Sequence, residues 1–378
     1  MNVVVLYGGQ SQEHQVSLIS AAGVIRELEK MPDVSLSLAG ITLEGRWFLQ
    51  DKTEQLRCAR ETGALTIIPD PESALALHPG EGIVDTSGTV LPVDCVFPVL
   101  HGAYGEDGTI QGLLEMCHLP YVGSGVTGSA LGMDKVRAKQ IWEQNNLPVV
   151  PYITVTDAIT VNQAPSGKNP GPDALSQITQ TATERIIGTF GFPVFVKPNA
   201  AGSSVGITRV EDSAHLGAAL KRAFRVDATV LIEQALTVRE IETAVLGNSD
   251  PRTFPSGEVI PSHQFYDYEA KYTDPAGAAL KIPADLDPAL AREIEELSRQ
   301  AFLAVGAAGL ARVDCFLHRE TRQIYLNEIN TLPGFTPISM YPKMVQEGGV
   351  TYAELLRELL TLALERDRHR SMRDYQAR

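Results

Sequence analysis

Residues 309–340 read GLARVDCFLHRETRQIYLNEINTLPGFTPISM, and the architecture of the chain can be built outward from them. Two runs rich in β-branched and aromatic residues, Ala311–Leu317 and Gln323–Asn330, flank a charged connection at His318–Arg322. That pattern predicts an antiparallel hairpin with a longer loop. With Leu317 facing Gln323, Arg312 falls opposite Glu328 and Asp314 opposite Leu326. Side chains alternate along a strand, so Arg312, Asp314, Glu328 and Asn330 are expected on one face, continued by Phe316, Ile324 and Leu326 as apolar packing. Converging Asp, Glu and Asn oxygens suit a hard cation, since Mg²⁺ uses one or two carboxylates plus substrate phosphates. The planar fork of Arg312 suits a phosphate oxygen or a developing oxyanion. A plain cross-strand ion pair between Arg312 and Glu328 on a solvated face fits the same residues. The Gly- and Pro-punctuated loop Thr331–Pro337 brings backbone N–H groups close to whatever the face holds.

Arg-x-Asp followed by Asn-Glu-Ile-Asn-Thr-x-Pro-Gly-Phe-Thr resembles the metal-binding end of the ATP-grasp enzymes, and within them the D-alanine–D-alanine ligase family. The fold class that this resemblance implies is α/β, a three-domain ATP-grasp arrangement. It comprises an N-terminal doubly wound α/β substrate domain (about 1–122) and two α+β subdomains that clasp ATP. These are a central one (about 123–236) and a C-terminal one carrying the lid loop and metal site (about 237–378).

The totals agree with such a plan. A chain of 378 residues exceeds one comfortable core, and 44% hydrophobic with 21% charged residues is ordinary for a globular protein. A net charge of −14 argues against nucleic acid or an acidic membrane as partner. Cys58, Cys95, Cys117 and Cys315 are scattered without a C-x-x-C pair, as expected of reduced thiols. The start, Met1–Val5, lacks a basic region and cleavage site, and no 18-residue apolar run occurs. A cytoplasmic protein is expected.

Val3–Tyr7, a Gly8-Gly9 turn and a helix from about Val16 to Lys30 open a doubly wound domain, whose ligands sit at strand carboxyl ends. Further strands are expected at Leu36–Thr42, Thr66–Pro69 and Asp94–Leu100, and a helix at Ile110–Cys117. The stretches GGQSQEHQVSLISA and HGAYGEDG resemble two N-terminal signatures of the ligase family. By that resemblance Glu13 holds the ammonium of the first D-alanine, with His101 close by. Taken alone, Glu13 is an acid near a helix start and His101 a turn residue.

Gly123–Gly128 matches G-x-G-x-x-G, but too little strand precedes it and a helix, Ala130–Gln144, follows where a βαβ return is required. Inside that helix Gly132-Met133-Asp134-Lys135 resembles the family, where the matching lysine reaches the ATP phosphates. Residues 157–183 are polar and Pro/Gly-rich, a surface insertion ahead of a helix at Ala182–Thr189. Strand Phe192–Pro198 carries Lys197 into a Gly-flanked Ser203-Ser204 turn, which can wrap phosphates without a Walker A sequence. Strand Thr229–Glu233 leads to Gln234, Ala235 and Leu236. In the family this stretch binds adenine, and the acid matching Glu240 meets the ribose.

Tyr266–Tyr272, YDYEAKY, resembles the family's lid loop, with Lys271 and Tyr272 closing over the products and excluding water. Helix Pro288–Val305 precedes the hairpin. Ser339 and Met340 begin a short helix, Tyr352–Leu364 forms the last one, and Glu365–Arg378 is a charged, solvated tail.

The implied reaction begins with attack of a D-alanine carboxylate on the γ-phosphate of ATP. Two Mg²⁺ ions (or Mn²⁺) on Asp314, Glu328 and Asn330 neutralise the phosphates beside Lys135 and Lys197. The amine of a second D-alanine then attacks the acyl phosphate. Arg312 and the Gly334 N–H stabilise the oxyanion, and Ser203 links Tyr272 to Glu13. Ser339, Met340 and Lys271 line the second substrate's site, and a homodimer is expected. Two alternatives stay open on sequence alone: a D-alanine–D-lactate or D-serine ligase on the same scaffold, and an ATP-binding module that has lost catalysis.

Overall fold

A computed structural model describes residues 1–157, 172–203, 205–261 and 278–372. The lid residues Lys271 and Tyr272, together with Ser204, lie outside the described residues.

The first sheet is built on β1 (Asn2–Gly8), whose run VVVLY is buried on both sides, as a central parallel strand requires. It pairs in parallel with β2 (Ser35–Ile41) and β6 (Cys95–Val99). The antiparallel strands β3 (Trp47–Gln50), β4 (Ala74–His78) and β5 (Gly82–Val84) extend it in the order β5-β4-β3-β2-β1-β6. Helices α1 (His14–Leu28) and α2 (Lys52–Glu61) cover one face and α3 (Thr109–Met116) the other. Thr66–Pro69 is not the expected strand. Its backbone is held instead by side-chain amides: Gln55 Oε1 accepts from Thr66 N at 2.9 Å, and Gln50 Oε1 from Ile68 N at 2.9 Å.

The second sheet is antiparallel, with β7 (Tyr152–Thr156), β8 (Val194–Pro198), β9 (Thr208–Val210) and β10 (Thr229–Gln234) in the order β7-β10-β8-β9. Helices α6 (Pro172–Thr189) and α7 (Ser213–Ala223) pack on it. Helix α6 starts well before the expected Ala182. Ile178, Ala182 and Ile186 share its buried stripe, and that i, i+4, i+8 spacing outweighs the polar composition around it.

The third sheet, also antiparallel, comprises β11 (Val238–Gly247), β12 (Arg252–Thr253), β13 (Gly257–Pro261), β14 (Ala278–Lys281), β15 (Gly309–His318) and β16 (Ile324–Asn330). Its order is β14-β13-β11-β15-β16, with β12 beside β11. Helix α8 (Pro288–Ala304) lies under it with α5 (Lys135–Gln144). The single helix expected over Ala130–Gln144 is two, α4 (Val126–Met133) and α5. They break at Asp134, which leaves the helical region (φ −82, ψ 96) and caps α5 by accepting from Arg137 N at 2.8 Å. A short polar side chain satisfying a helix's orphan donors is a sufficient cause for the break.

Helix α10 (Tyr352–Ser371) folds back onto α1 and the first sheet, and α9 (Met340–Glu347) packs between it and β11 of the third. The solvated tail expected after Leu364 is therefore corrected. Helix α10 runs to Ser371, and the Arg366 guanidinium stacks 4.1 Å from the Tyr121 ring centroid while donating to Tyr121 O at 2.9 Å.

The hairpin register also differs from the expectation. Leu317 pairs with Ile324 and Cys315 with Leu326, but Asp314 pairs with Glu328 and Arg312 with Asn330. Asn327 is the extra residue of a bulge, and a one-residue slip exchanges the faces of a strand. Ile324 and Leu326 accordingly sit in the core over α8, not beside Phe316. Arg312, Asp314, Glu328 and Asn330 nevertheless gather on one face.

Candidate active site

Two adjoining cavities run between the sheets. One of 390 Å³ lies between Lys197, Glu233, Gln234 and Leu236 of the second sheet and Glu240, Asp314 and Phe316 of the third. The other, of 310 Å³, lies between Glu13, His101 and Glu106 and the segment carrying Asn330, Gly334, Ser339 and Met340. Lys135, Ser203, Glu242, Arg312 and Glu328 line both, so a molecule in one cavity touches the walls of the other.

At the junction Arg312 donates to both Asp314 oxygens, at 2.7 and 2.6 Å, and its Nε lies 3.0 Å from a Glu242 oxygen. Burial pulls the guanidinium down, but Asp314 and Glu242 outweigh it and hold Arg312 above its usual range. Asn330 Nδ2 donates to Asp314 at 3.2 Å. Lys135, at the start of α5, donates to Ala201 O at 2.8 Å and lies 3.2 Å from Glu328. Among the described residues no group of three or more His, Cys, Asp or Glu side chains is gathered for a metal. The donor set here is two carboxylates and one amide. That suits a hard cation whose remaining positions are filled by phosphate oxygens, and Asp314 and Glu328 already face cationic nitrogen.

In the first cavity Lys197 pairs with Glu233, lies 3.4 Å from Asn327 Oδ1, and has the Phe316 ring centroid at 5.7 Å. The other Glu233 oxygen is 2.7 Å from Lys139. Burial pushes Glu233 up, yet the two lysines prevail and hold it at about 2. The N–H groups of Gln234 and Ala235 are engaged by Pro151 O and Pro193 O, and Ala235 does not line the cavity.

In the second cavity Glu13, just before α1, accepts from Ser203 Oγ at 2.5 Å. Ser203 is left-handed, φ +52, a conformation a serine holds only where its surroundings demand it. His101 is buried between Leu332 O and Ser20 Oγ, 3.1 Å from each, with Glu106 at 3.8 Å. Burial lowers the imidazole, but Glu106 raises it further and the net shift is upward; burial itself pushes Glu106 up. In the loop before α9, Thr336 N donates to Ser339 Oγ at 3.0 Å and Phe335 N to Ser20 Oγ at 3.3 Å. Met340 is buried.

Four site residues escaped the sequence reading. Glu242 is two residues past Glu240 on one strand, and period two would have found it. Glu106 stands inside a motif already quoted. Lys139 is one helical turn beyond Lys135. Asn327 carried no signal, because the bulge that turns it inward is a property of the pairing.

Three sheets with a cavity between the second and third, walled by Lys197 and Lys135 on one side and by Asp314 and Glu328 on the other, define the ATP-grasp class. Residues 2–124 match the family model described as D-ala D-ala ligase N-terminus, and residues 141–361 the one described as D-ala D-ala ligase C-terminus. The D-alanine–D-alanine ligase of Treponema denticola is 42% identical over 370 residues, 97% of this chain and 96% of that protein. Among solved structures, the D-alanine-D-alanine ligase of Coxiella burnetii superposes with a TM-score of 0.79 at 32% identity, covering 98% of this chain and 96% of the other. The VanG D-Ala:D-Ser ligase of Enterococcus faecalis gives 0.79 at 30% identity, covering 96% and 99%. This chain belongs to the D-alanine–D-alanine ligase family.

Proposed function

We propose that the paired cavities join two D-alanine molecules at the expense of ATP, through an acyl phosphate and with release of ADP and phosphate. The observation that carries this reading is the junction. Arg312, Glu328 and Lys135 line both cavities, so a phosphoryl donor in one and an amino acid in the other meet there. The nucleotide occupies the first cavity, with the base near Glu233, Gln234 and Leu236 and the ribose at Glu240. The phosphates lie by Lys135, Lys197, Ser203 and Ser204. Asp314, Glu328 and Asn330 would hold the divalent metal, which supplies charge neutralisation for the phosphates; two Mg²⁺ ions, with Mn²⁺ as substitute, are part of the proposal.

In the second cavity Glu13 receives the ammonium of the first D-alanine, its carboxylate already oriented by Ser203. His101, fixed between α1 and the Leu332 carbonyl, shapes that subsite. Arg312 and the Gly334 N–H stabilise the oxyanion as the second amine attacks. Ser339 and Met340 border the second D-alanine. Lys271 and Tyr272 close the site and exclude water, protecting an intermediate that water destroys.

Division of the chain near residues 122 and 236 belongs to the same proposal, supported by each sheet falling within one segment. Among the described residues no helix is long and apolar enough to cross a membrane. The four cysteines are buried and unpaired, which supports a cytoplasmic setting. A homodimer completes the proposal, and sedimentation checks it. The test of function is ADP release with D-alanine against L-alanine, then with D-alanine plus D-lactate or D-serine. Release with D-alanine alone is expected; equal rates with L-alanine would overturn the reading.

A further inference from the structure

Lys139 is fully buried and lines neither cavity. Its amine lies 2.7 Å from Glu233, 3.4 Å from Leu326 O and 5.9 Å from the Tyr152 ring centroid. It therefore stands behind Glu233, sealed between α5 and the second and third sheets. The other cation on Glu233, Lys197, lines the cavity and is shared with Asn327. In the proposed function a nucleotide's phosphates compete for Lys197. They have no access to Lys139.

A buried carboxylate stays ionised only while it is paired, and its protonation state fixes its hydrogen-bonding sense. Ionised it only accepts; protonated it also donates. Adenine presents an exocyclic 6-amino donor, whereas a 6-oxo purine presents an acceptor at the same place. From this geometry we infer that Lys139 is a positioning residue for nucleobase selection. It holds Glu233 as an acceptor-only carboxylate, so that the cleft takes a 6-amino purine and rejects a 6-oxo one. The inference rests on the reading that Glu233 faces the base.

The experiment compares kcat/KM for ATP and for inosine triphosphate at saturating D-alanine, in the wild type and in Lys139→Met, Lys139→Arg and Glu233→Gln. In Lys139→Met the ATP preference should fall about tenfold or more, carried by KM rather than kcat, because a site built around one hydrogen-bond sense discriminates strongly. Lys139→Arg, which keeps the charge, should stay within about threefold of wild type. Glu233→Gln, which can accept or donate, should lose the preference as well. If Glu233→Gln lowers the preference and Lys139→Met does not, the role of Lys139 is overturned while the base contact stands. If neither lowers it, Glu233 does not read the base and both ideas fall. A Lys139→Met protein that melts earlier at unchanged preference marks a lysine that only packs, and also overturns the inference. Should Lys139→Met not fold, Lys139→Gln is read in its place.

Discussion

Arg312→Ala separates the chemistry of the junction from its stability. The guanidinium is bidentate to Asp314 and 3.0 Å from Glu242. Removing it takes this cation away from two carboxylates, while the Asn330 amide still donates to Asp314 at 3.2 Å. Breaking a buried pair from one side costs about 3–5 kcal/mol, and that loss should appear as a lower melting temperature of the ligand-free protein. Losing an oxyanion donor costs about 10²–10³ in kcat. The two losses respond differently to ligand. With Asp314 holding the metal as proposed, Mg²⁺ with a nonhydrolysable ATP analogue would return positive charge to it, so the melting deficit should shrink while kcat stays low. KM for ATP should move by no more than about threefold, since the base and phosphate contacts of the first cavity are intact. Coupled measurement of ADP release together with thermal melts, with and without Mg²⁺ and analogue, reads all three quantities. A folded Arg312→Ala protein turning over near the wild-type rate would refute the assigned role.

Further expectations can be checked independently. A Cβ at Gly102 would stand 2.5 Å from Glu13 Oε2 at a φ of +71, so Gly102→Ala should raise KM for D-alanine about tenfold or more with little change in KM for ATP; initial-rate kinetics decide it, and an unchanged KM for D-alanine counts against Glu13 as the ammonium site. Tyr272→Phe should weaken the preference for D-alanine over D-lactate as second substrate, read from product ratios at neutral pH; an unchanged ratio argues against the lid reading. Burial pushes Cys95 and Cys315 up to about 12 and raises Cys117, so these thiols should resist a thiolate-directed reagent at pH 8 until denaturant is added; rapid labelling of any of the three in native protein contradicts the burial. Arg366→Met should lower stability by about 1–3 kcal/mol through the lost stacking and hydrogen bonds at Tyr121, measured by urea unfolding, with ADP release unaffected.

The sequence carried most of this architecture because its signals are local. The VVVLY run of β1, the apolar spacing of α8 and the turn chemistry around Asn199–Gly206 each act within a few residues of themselves. What it could not carry depended on partners. The register of the hairpin was misread because nothing in 323–330 marks Asn327 as the residue left unpaired. The break at Asp134 was hidden by the good helix formers on both sides, although Asp is a natural cap. The extent of α10 was missed because the arginines of 365–371 read as solvent-facing until Tyr121 is seen beneath Arg366. In the candidate site, Arg312, Asp314, Glu328 and Asn330 share a face, and Lys135, Lys197, Glu13 and Ser203 line the two cavities beside it. Glu242, Lys139 and Asn327 entered only when strand neighbours and helix faces were known.

The closing helix α10 packs on α1, and Arg357 reaches Asp33 at 2.7 and 2.8 Å. During synthesis, therefore, the amino-terminal layer emerges with one oily side uncovered and waits for almost the whole remaining polypeptide before its cover is translated. At ordinary elongation speeds of about 5–20 residues per second, that interval is roughly ten to fifty seconds. A ribosome that stalls late, or a frameshift removing only the last few turns, thus exposes a surface belonging to the very start of the message. Loss of the carboxyl-terminal helix would therefore uncover apolar surface at the opposite end of the sequence, on α1 and the first sheet.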